Sequence, residues 1–273
     1  MREQAFRFGG ADHLVGIAGL PGTAAPVGVI VLNAGMVHRV GPFRLHVELT
    51  RRLNAAGWPT LRMDLSTLGD SGAGGRPLSR ADQVRADVAD GMALLAAQAG
   101  CTRFVLVGLC AGAANAHTVA CTDPRVAGVV FIDGYVYRSL GFRLRHYLPR
   151  VFNPGKLLRF LHRRLTRRAA APAGQAGFAV SAPPLPQVRD DYADMLARGL
   201  KLCFVYSGGI SNHFNHVRQF GECYGRLAKH PGVSLRHFAH TDHTYALTVD
   251  RRLLLDTIAD WMARHFPVAG AEG

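Results

Sequence analysis

Apolar and polar positions along the chain alternate between two periods. Short apolar-rich segments at Val27–Asn33 (VGVIVLN), Thr60–Asp64, Arg103–Gly108, Val126–Asp133, Lys201–Tyr206 and Val233–Phe238 have the length and content of strands. Helical spacing of apolar residues marks Pro42–Ala56, stopped by Gly57, and then Arg80–Ala99, Ala111–Cys121, His213–Leu227 and Asp250–Phe266. Phe6–Phe8 and His13–Ile17 read as a pair of edge strands joined by a turn. Strands that alternate with helices predict an α/β domain: a mostly parallel central sheet flanked by helices on both faces.

The alternation lapses between Tyr135 and about Arg198. This stretch holds a basic run and the segments AAAPAGQAG and SAPPLPQ, so it reads as an inserted helical cap with a proline-bearing loop. The organisation expected is a core of residues 1–136 and 199–273 interrupted by a basic cap over 137–198.

Composition sharpens this in two ways. Of 273 residues 48% are hydrophobic, enough for a sizeable core, yet no apolar run approaches the roughly 18 residues of a membrane helix, and MREQAFRFGG lacks the apolar segment of a secretion signal. Five scattered cysteines, Cys101, Cys110, Cys121, Cys203 and Cys223, form no CxxC pair and suit reduced thiols in a cytoplasmic enzyme. The formal net charge is +13, and Arg138, Arg143, Arg145, Arg150, Lys156, Arg159, Arg163, Arg164, Arg167 and Arg168 follow one another without an acidic residue. Such a segment attracts anionic partners, although it also fits an ordinary arginine-rich surface. No helix-turn-helix, zinc-finger or RNP-type motif accompanies it, so a nucleic-acid partner is not expected, nor is stable membrane insertion.

The chemistry concentrates in a few short segments. Gly108-Leu109-Cys110-Ala111-Gly112 lies where a strand gives way to a helix, a tight bend at which side chains two residues either side of Cys110 would collide. Asp242-His243-Thr244 follows the last strand, Leu32-Asn33-Ala34-Gly35-Met36 follows an early one, and Leu61-Arg62-Met63-Asp64 precedes Leu68-Gly69-Asp70-Ser71-Gly72. Together these resemble the α/β-hydrolase superfamily, in its serine-aminopeptidase-like and thioesterase-like branch, with cysteine where serine is usual at the nucleophile elbow. The resemblance covers nearly all of the chain outside the cap.

The resemblance implies an acyl-transfer enzyme, a thioesterase, esterase or acyltransferase, that forms an acyl-Cys110 intermediate with His243 as base. Ala111 and Met36 would supply oxyanion-hole amides. The usual acid after the post-cap strand is missing, since that site reads Ser207-Gly208-Gly209-Ile210-Ser211-Asn212. Asp133, where some members of the fold carry the acid, and Asn212, by analogy with papain-like pairs, are the alternatives, and a Cys–His pair with neither stays open. Asp242 is not expected to orient its neighbour's ring, and Asp64 and Asp70 read as structural. The substrate implied is an acyl thioester or ester, with an acidic acyl carrier protein as a candidate partner for the basic cap. No cofactor is implied. No metal is expected either: His213, His216, His237, His240 and His243 cluster without a matching Cys- or carboxylate-rich motif. The competing reading is a catalytically silent hydrolase fold whose basic cap docks an anionic partner.

Overall fold

The computed structural model describes residues 2–22, 25–75, 77–151 and 182–268. Eight strands form one sheet: β1 (Arg2–Phe8), β2 (Leu14–Leu20), β3 (Val27–Val31), β4 (Thr60–Asp64), β5 (Arg103–Leu109), β6 (Val126–Ile132), β7 (Lys201–Ser207) and β8 (Val233–Phe238). Their spatial order is β1-β2-β4-β3-β5-β6-β7-β8. The β1–β2 and β2–β4 pairs are antiparallel, and every other neighbour pair is parallel. The parallel strands are joined by helices α1 (Leu45–Ala55), α2 (Arg80–Ala99) and α3 (Ala111–Ala120), then α4 (Leu140–Val151) and α5 (Leu185–Ala197), α6 (Arg218–Tyr224) and finally α7 (Thr248–His265).

The strand sequences explain the layering. Along β5, Phe104 and Leu106 enter one apolar cluster while Val105, Val107 and Leu109 enter the other. The period-2 alternation of a strand thus feeds two cores, which is why these strands read as apolar-rich segments. One core is closed by α2, α3, α5 and α6, through Val88, Ala116, Tyr192 and Phe220. The other is closed by α1 and α7, through Leu49, Ile258 and Trp261.

Most expected elements sit within a residue or two of their forecast ends. The helix forecast over His213–Leu227 is shorter. The Ile210 carbonyl takes the amides of both His213 and Phe214, and Asn215 N–H donates to the Gln219 side chain, so the chain turns before a helix starts. At its other end Gly225 adopts φ 57°, and a 3-10 turn over Gly225–Lys229 replaces the last α-turn.

Of the expected cap over 137–198, residues 152–181 lie outside the described residues. On its near side stands α4, which exposes Leu140, Leu144 and Leu148. On its far side α5 buries Val188, Tyr192 and Met195 in the larger core. Among the described residues no helix is long and apolar enough to cross a membrane.

Candidate active site

Parallel strands place their carboxyl ends on one edge of the sheet, and the chemistry-bearing side chains gather there. Cys110 stands between β5 and α3 with φ 56° and ψ −115°, a conformation that costs a non-glycine residue on the order of 1–3 kcal/mol. Two glycines make the bend possible. A Cβ on Gly108 would overlap the Gly112 carbonyl and lie 2.5 Å from Ala113 N, and one on Gly112 would lie 2.6 Å from the Asn33 carbonyl oxygen. The bend leaves Cys110 exposed, whereas Cys101, Cys203 and Cys223 are buried.

His243 comes to the thiol on the loop after β8, and each of the two groups shifts the other's ionisation. Its Nδ1 lies 2.7 Å from Asp133 Oδ2, which leaves Nε2 for the sulfur. Asp133 ends β6, with its side chain fully buried and φ 47°. Three partners hold it: besides His243, the Ser207 amide donates to Oδ1 at 2.7 Å and the Ser207 hydroxyl to Oδ2 at 2.6 Å. The histidine loop has its own scaffold. Asp242 accepts from the amides of Thr244 (2.7 Å) and Ala246 (2.9 Å), as its divergence from the neighbouring ring predicts. A Cβ on Gly209 would overlap the His243 amide, so the Gly208-Gly209 pair lets the loop descend onto Asp133.

These contacts set the ionisation. The hydrogen bond to Asp133, then that to Cys110, raises His243 to about 10. The hydrogen bond to His243 brings the Cys110 thiol down, against its partial burial, with help from the Ala111 amide. The other described thiols go the opposite way: burial pushes Cys101 and Cys121 to about 11 and Cys203 to about 12. Among the described thiols Cys110 is thus the one that is exposed and whose pKa is lowered.

The structure thus brings Cys110, His243, Asp133 and the Ala111 amide together. It does not bring Asn212 to the ring: Asn212 is exposed, and the nitrogen it would have met is occupied by Asp133. Met36 is 63% exposed on the Asn33–Val37 loop. Among the described residues its amide meets no backbone acceptor, whereas the Val37 amide is taken by Ala34. The residue that sequence reasoning missed is Ser207. Its place at the end of β7, ahead of two glycines, was the available signal.

Asp64 fixes that loop from below. Fully buried, it accepts from the Arg39 amide at 2.6 Å and from Asn33 Nδ2 at 2.9 Å, and it also pairs with the Arg39 guanidinium. Asn33 in turn accepts from the Leu65 amide at 2.8 Å and donates to the Val37 carbonyl. Asp64→Asn should therefore lower stability by about 3 kcal/mol, because it removes the charge from a fully buried carboxylate on which Asn33, the Arg39 amide and the Arg39 guanidinium converge. Asp70→Asn, at the exposed arm of the same pair (2.6 Å to Arg39), should change it far less, because solvent screens that contact. Urea unfolding midpoints of the two variants check this; equal shifts would contradict it.

Among the described residues one group carries a metal-ligand donor set, His117, Cys121 and Asp191. Burial holds His117 down at about 4, and its Nε2 already meets Asp191 Oδ2 at 3.2 Å. Cys121 Sγ lies 3.8 Å from both ring nitrogens, on their mid-plane and away from the Nε2 lone pair. The five histidines singled out in the sequence form no such group among the described residues.

Comparison with known proteins follows the geometry. A family model described as "Alpha/beta hydrolase family" matches residues 16–270. Among solved structures, an esterase of Pyrococcus furiosus is 17% identical, with a TM-score of 0.63 over 97% of this chain and 91% of that one. An esterase domain from a Rhodothermus marinus protein is 18% identical, with a TM-score of 0.57 over 97% and 99%. A Xanthomonas campestris protein described as an α/β serine hydrolase without lid is 14% identical, with a TM-score of 0.55 over 98% and 96%. At these identities the likeness is one of fold. A search of curated protein sequences finds no match.

Proposed function

Since the chain belongs to the alpha/beta hydrolase family, we propose that it is an acyl-transfer enzyme with a cysteine nucleophile, of the thioesterase-like branch, acting on acyl thioesters or esters. One observation carries this: an exposed thiol on a strained bend is coupled to His243, whose Nδ1 lies 2.7 Å from a fully buried carboxylate.

The sequence of events follows from the geometry. Cys110 sulfur attacks the carbonyl carbon and forms a C–S bond, while the carbonyl electron pair moves onto oxygen. In this reading the amides of Ala111 and Met36 hold that oxyanion. As it collapses, the bond to the leaving group breaks, and imidazolium His243 gives the departing thiolate or alkoxide its proton. His243 then takes a proton from water, or from an acceptor hydroxyl or amine, which attacks the acyl-Cys110 carbonyl and releases the thiol. Asp133 fixes the ring throughout.

The basic run from Arg138 offers such an enzyme a surface for an acidic acyl carrier protein. Among its described members Arg143 is exposed, while Arg145 is paired with Glu222 at 2.8 Å. Five free cysteines suit a cytoplasmic setting.

Mass spectrometry of the protein quenched during turnover of a short acyl thioester should find the acyl mass on the Cys110 peptide and on no other cysteine. Turnover that Cys110→Ala removes without any adduct at any quench time would overturn the covalent step. A silent binding module would give neither turnover nor adduct, and its Cys110 would react with iodoacetamide no faster than Cys121.

A further inference from the structure

A groove of about 260 Å³ opens beside the candidate nucleophile and runs between α2 and α3. One wall is α3 from Ala111, the residue after Cys110, through Ala114 to Thr118; the other is the first turn of α2, with Ala81 and Val84. Gly35, from the loop that carries Met36, completes the mouth. The groove thus begins at both proposed oxyanion amides, which places an acyl chain held on Cys110 next to its opening. Its lining is mainly small and apolar, with one charged side chain, Arg80.

Arg80 is an exposed cation at the rim of this groove. Among the described residues the guanidinium has neither hydrogen bond nor ion pair. The nearest acid in sequence, Asp82, is committed elsewhere: Ser79 Oγ donates to it at 2.6 Å and Arg85 pairs with it at 2.8 Å. Arg80 is also the first residue of a 20-residue helix capped by Ser79, so the partial positive charge of the helix N-terminus adds to its own. A planar, permanently charged fork at the rim of an apolar groove suits a carboxylate, which it can hold through two parallel hydrogen bonds.

The geometry points to acyl groups that end in a carboxylate, such as the half-thioesters of short dicarboxylic acids, with Arg80 as the residue that selects them. This rests on the acyl-Cys110 reading. Ala111 and Arg80 line the same groove, so an anion that Arg80 meets there belongs to an acyl chain seated in it, and a phosphate on the leaving group is the alternative source that the test separates.

The test compares glutaryl and valeryl thioesters of N-acetylcysteamine, equal in carbon number and different only in the terminal carboxylate. Wild type should prefer glutaryl by at least about tenfold in kcat/KM, and Arg80→Gln should cut that ratio by about tenfold. Arg80→Glu should invert it, and high salt should shrink it in wild type only. An unchanged ratio in Arg80→Gln would overturn the proposal. So would a preference that follows the phosphate of a phosphopantetheine leaving group rather than the acyl carboxylate.

A second readout needs no turnover. Glutarate should protect Cys110 from iodoacetamide in wild type and not in Arg80→Gln, while valerate protects neither. Absence of protection counts against Arg80, whereas loss of acylation with both thioesters counts against the covalent reading itself.

Discussion

Replacing Cys110 with alanine is expected to lower acyl-thioester turnover by a factor of about 10³ or more, because no nucleophile remains at the bend while the oxyanion amides and His243 stay in place. The fold should survive, since the thiol is exposed and the backbone strain at φ 56° belongs to the bend rather than to the sulfur. Alanine shares the steric demands of cysteine there, so near-identical unfolding midpoints would separate lost chemistry from lost structure. Cys110→Ser makes the sharper comparison. A serine hydroxyl in the same position finds the same His243, the same buried Asp133 and the same Ala111 amide.

Measurable ester hydrolysis should therefore persist in Cys110→Ser, with a different pH dependence. In wild type the reactive form is the thiolate–imidazolium pair, present from the lowered thiol pKa up to about 10, where His243 loses its proton. In the serine variant His243 must be neutral to act as base, and Asp133 still holds its proton on. The acid limb of kcat/KM should move to higher pH. A pH profile identical to wild type would mean that the ion pair plays no part in the reaction.

The layout of this site was legible in local sequence wherever local sterics decide. Gly108 and Gly112 flank Cys110 because the bend forbids side chains there, and the strand before and the helix after it follow from apolar period alone. That Asp64 binds an amide of the loop after its strand was likewise readable, since a carboxylate at a strand end with glycines beyond it finds backbone amides, whereas its hold on the Arg39 amide was not.

Long-range choices were not legible. Asp133 and Asn212 both suited the third position on paper, because their claims rest on contacts 110 and 31 residues away in the chain. What decides is the backbone: at φ 47° Asp133 turns its carboxylate toward the β7 end, where Ser207 binds both oxygens and one of them meets the His243 ring. The Ser207 amide and hydroxyl, at the end of the neighbouring strand, hold the Asp133 carboxylate, whereas the usual position of the acid is occupied by Ser211. The helix over His213–Leu227 failed for a similar reason, since periodicity carries no trace of the Ile210 carbonyl that captures the amides of His213 and Phe214.

Asp133→Asn is expected to reduce turnover by about 10²-fold, and its physical cause is the count of donors around one carboxylate. Three donors converge on Asp133: the Ser207 amide on Oδ1, and the Ser207 hydroxyl and His243 Nδ1 on Oδ2. An asparagine cannot satisfy all three. With its oxygen on the Ser207 amide, its NH2 faces His243 Nδ1, forces the tautomer protonated on Nε2 and removes the base from the sulfur. With the amide turned over, its NH2 meets the Ser207 N–H inside a fully buried site, which costs about 1–3 kcal/mol of stability.

Both orientations lower His243 from about 10 toward its ordinary value, since the contact with Asp133 is the larger of the two that raise it. Cys110 must then rise toward an ordinary thiol, because its hydrogen bond to a charged ring is what depresses it. The measurement is the rate of Cys110 alkylation by iodoacetamide against pH. The step should move to higher pH in Asp133→Asn, and by less in Ser207→Ala, which removes one donor and leaves the charge. If Asp133→Asn kept the wild-type step, the thiolate would owe its ionisation to the helix N-terminus at Ala111 alone, and Asp133 would be a fastener between β6 and β7 with no influence on the reaction.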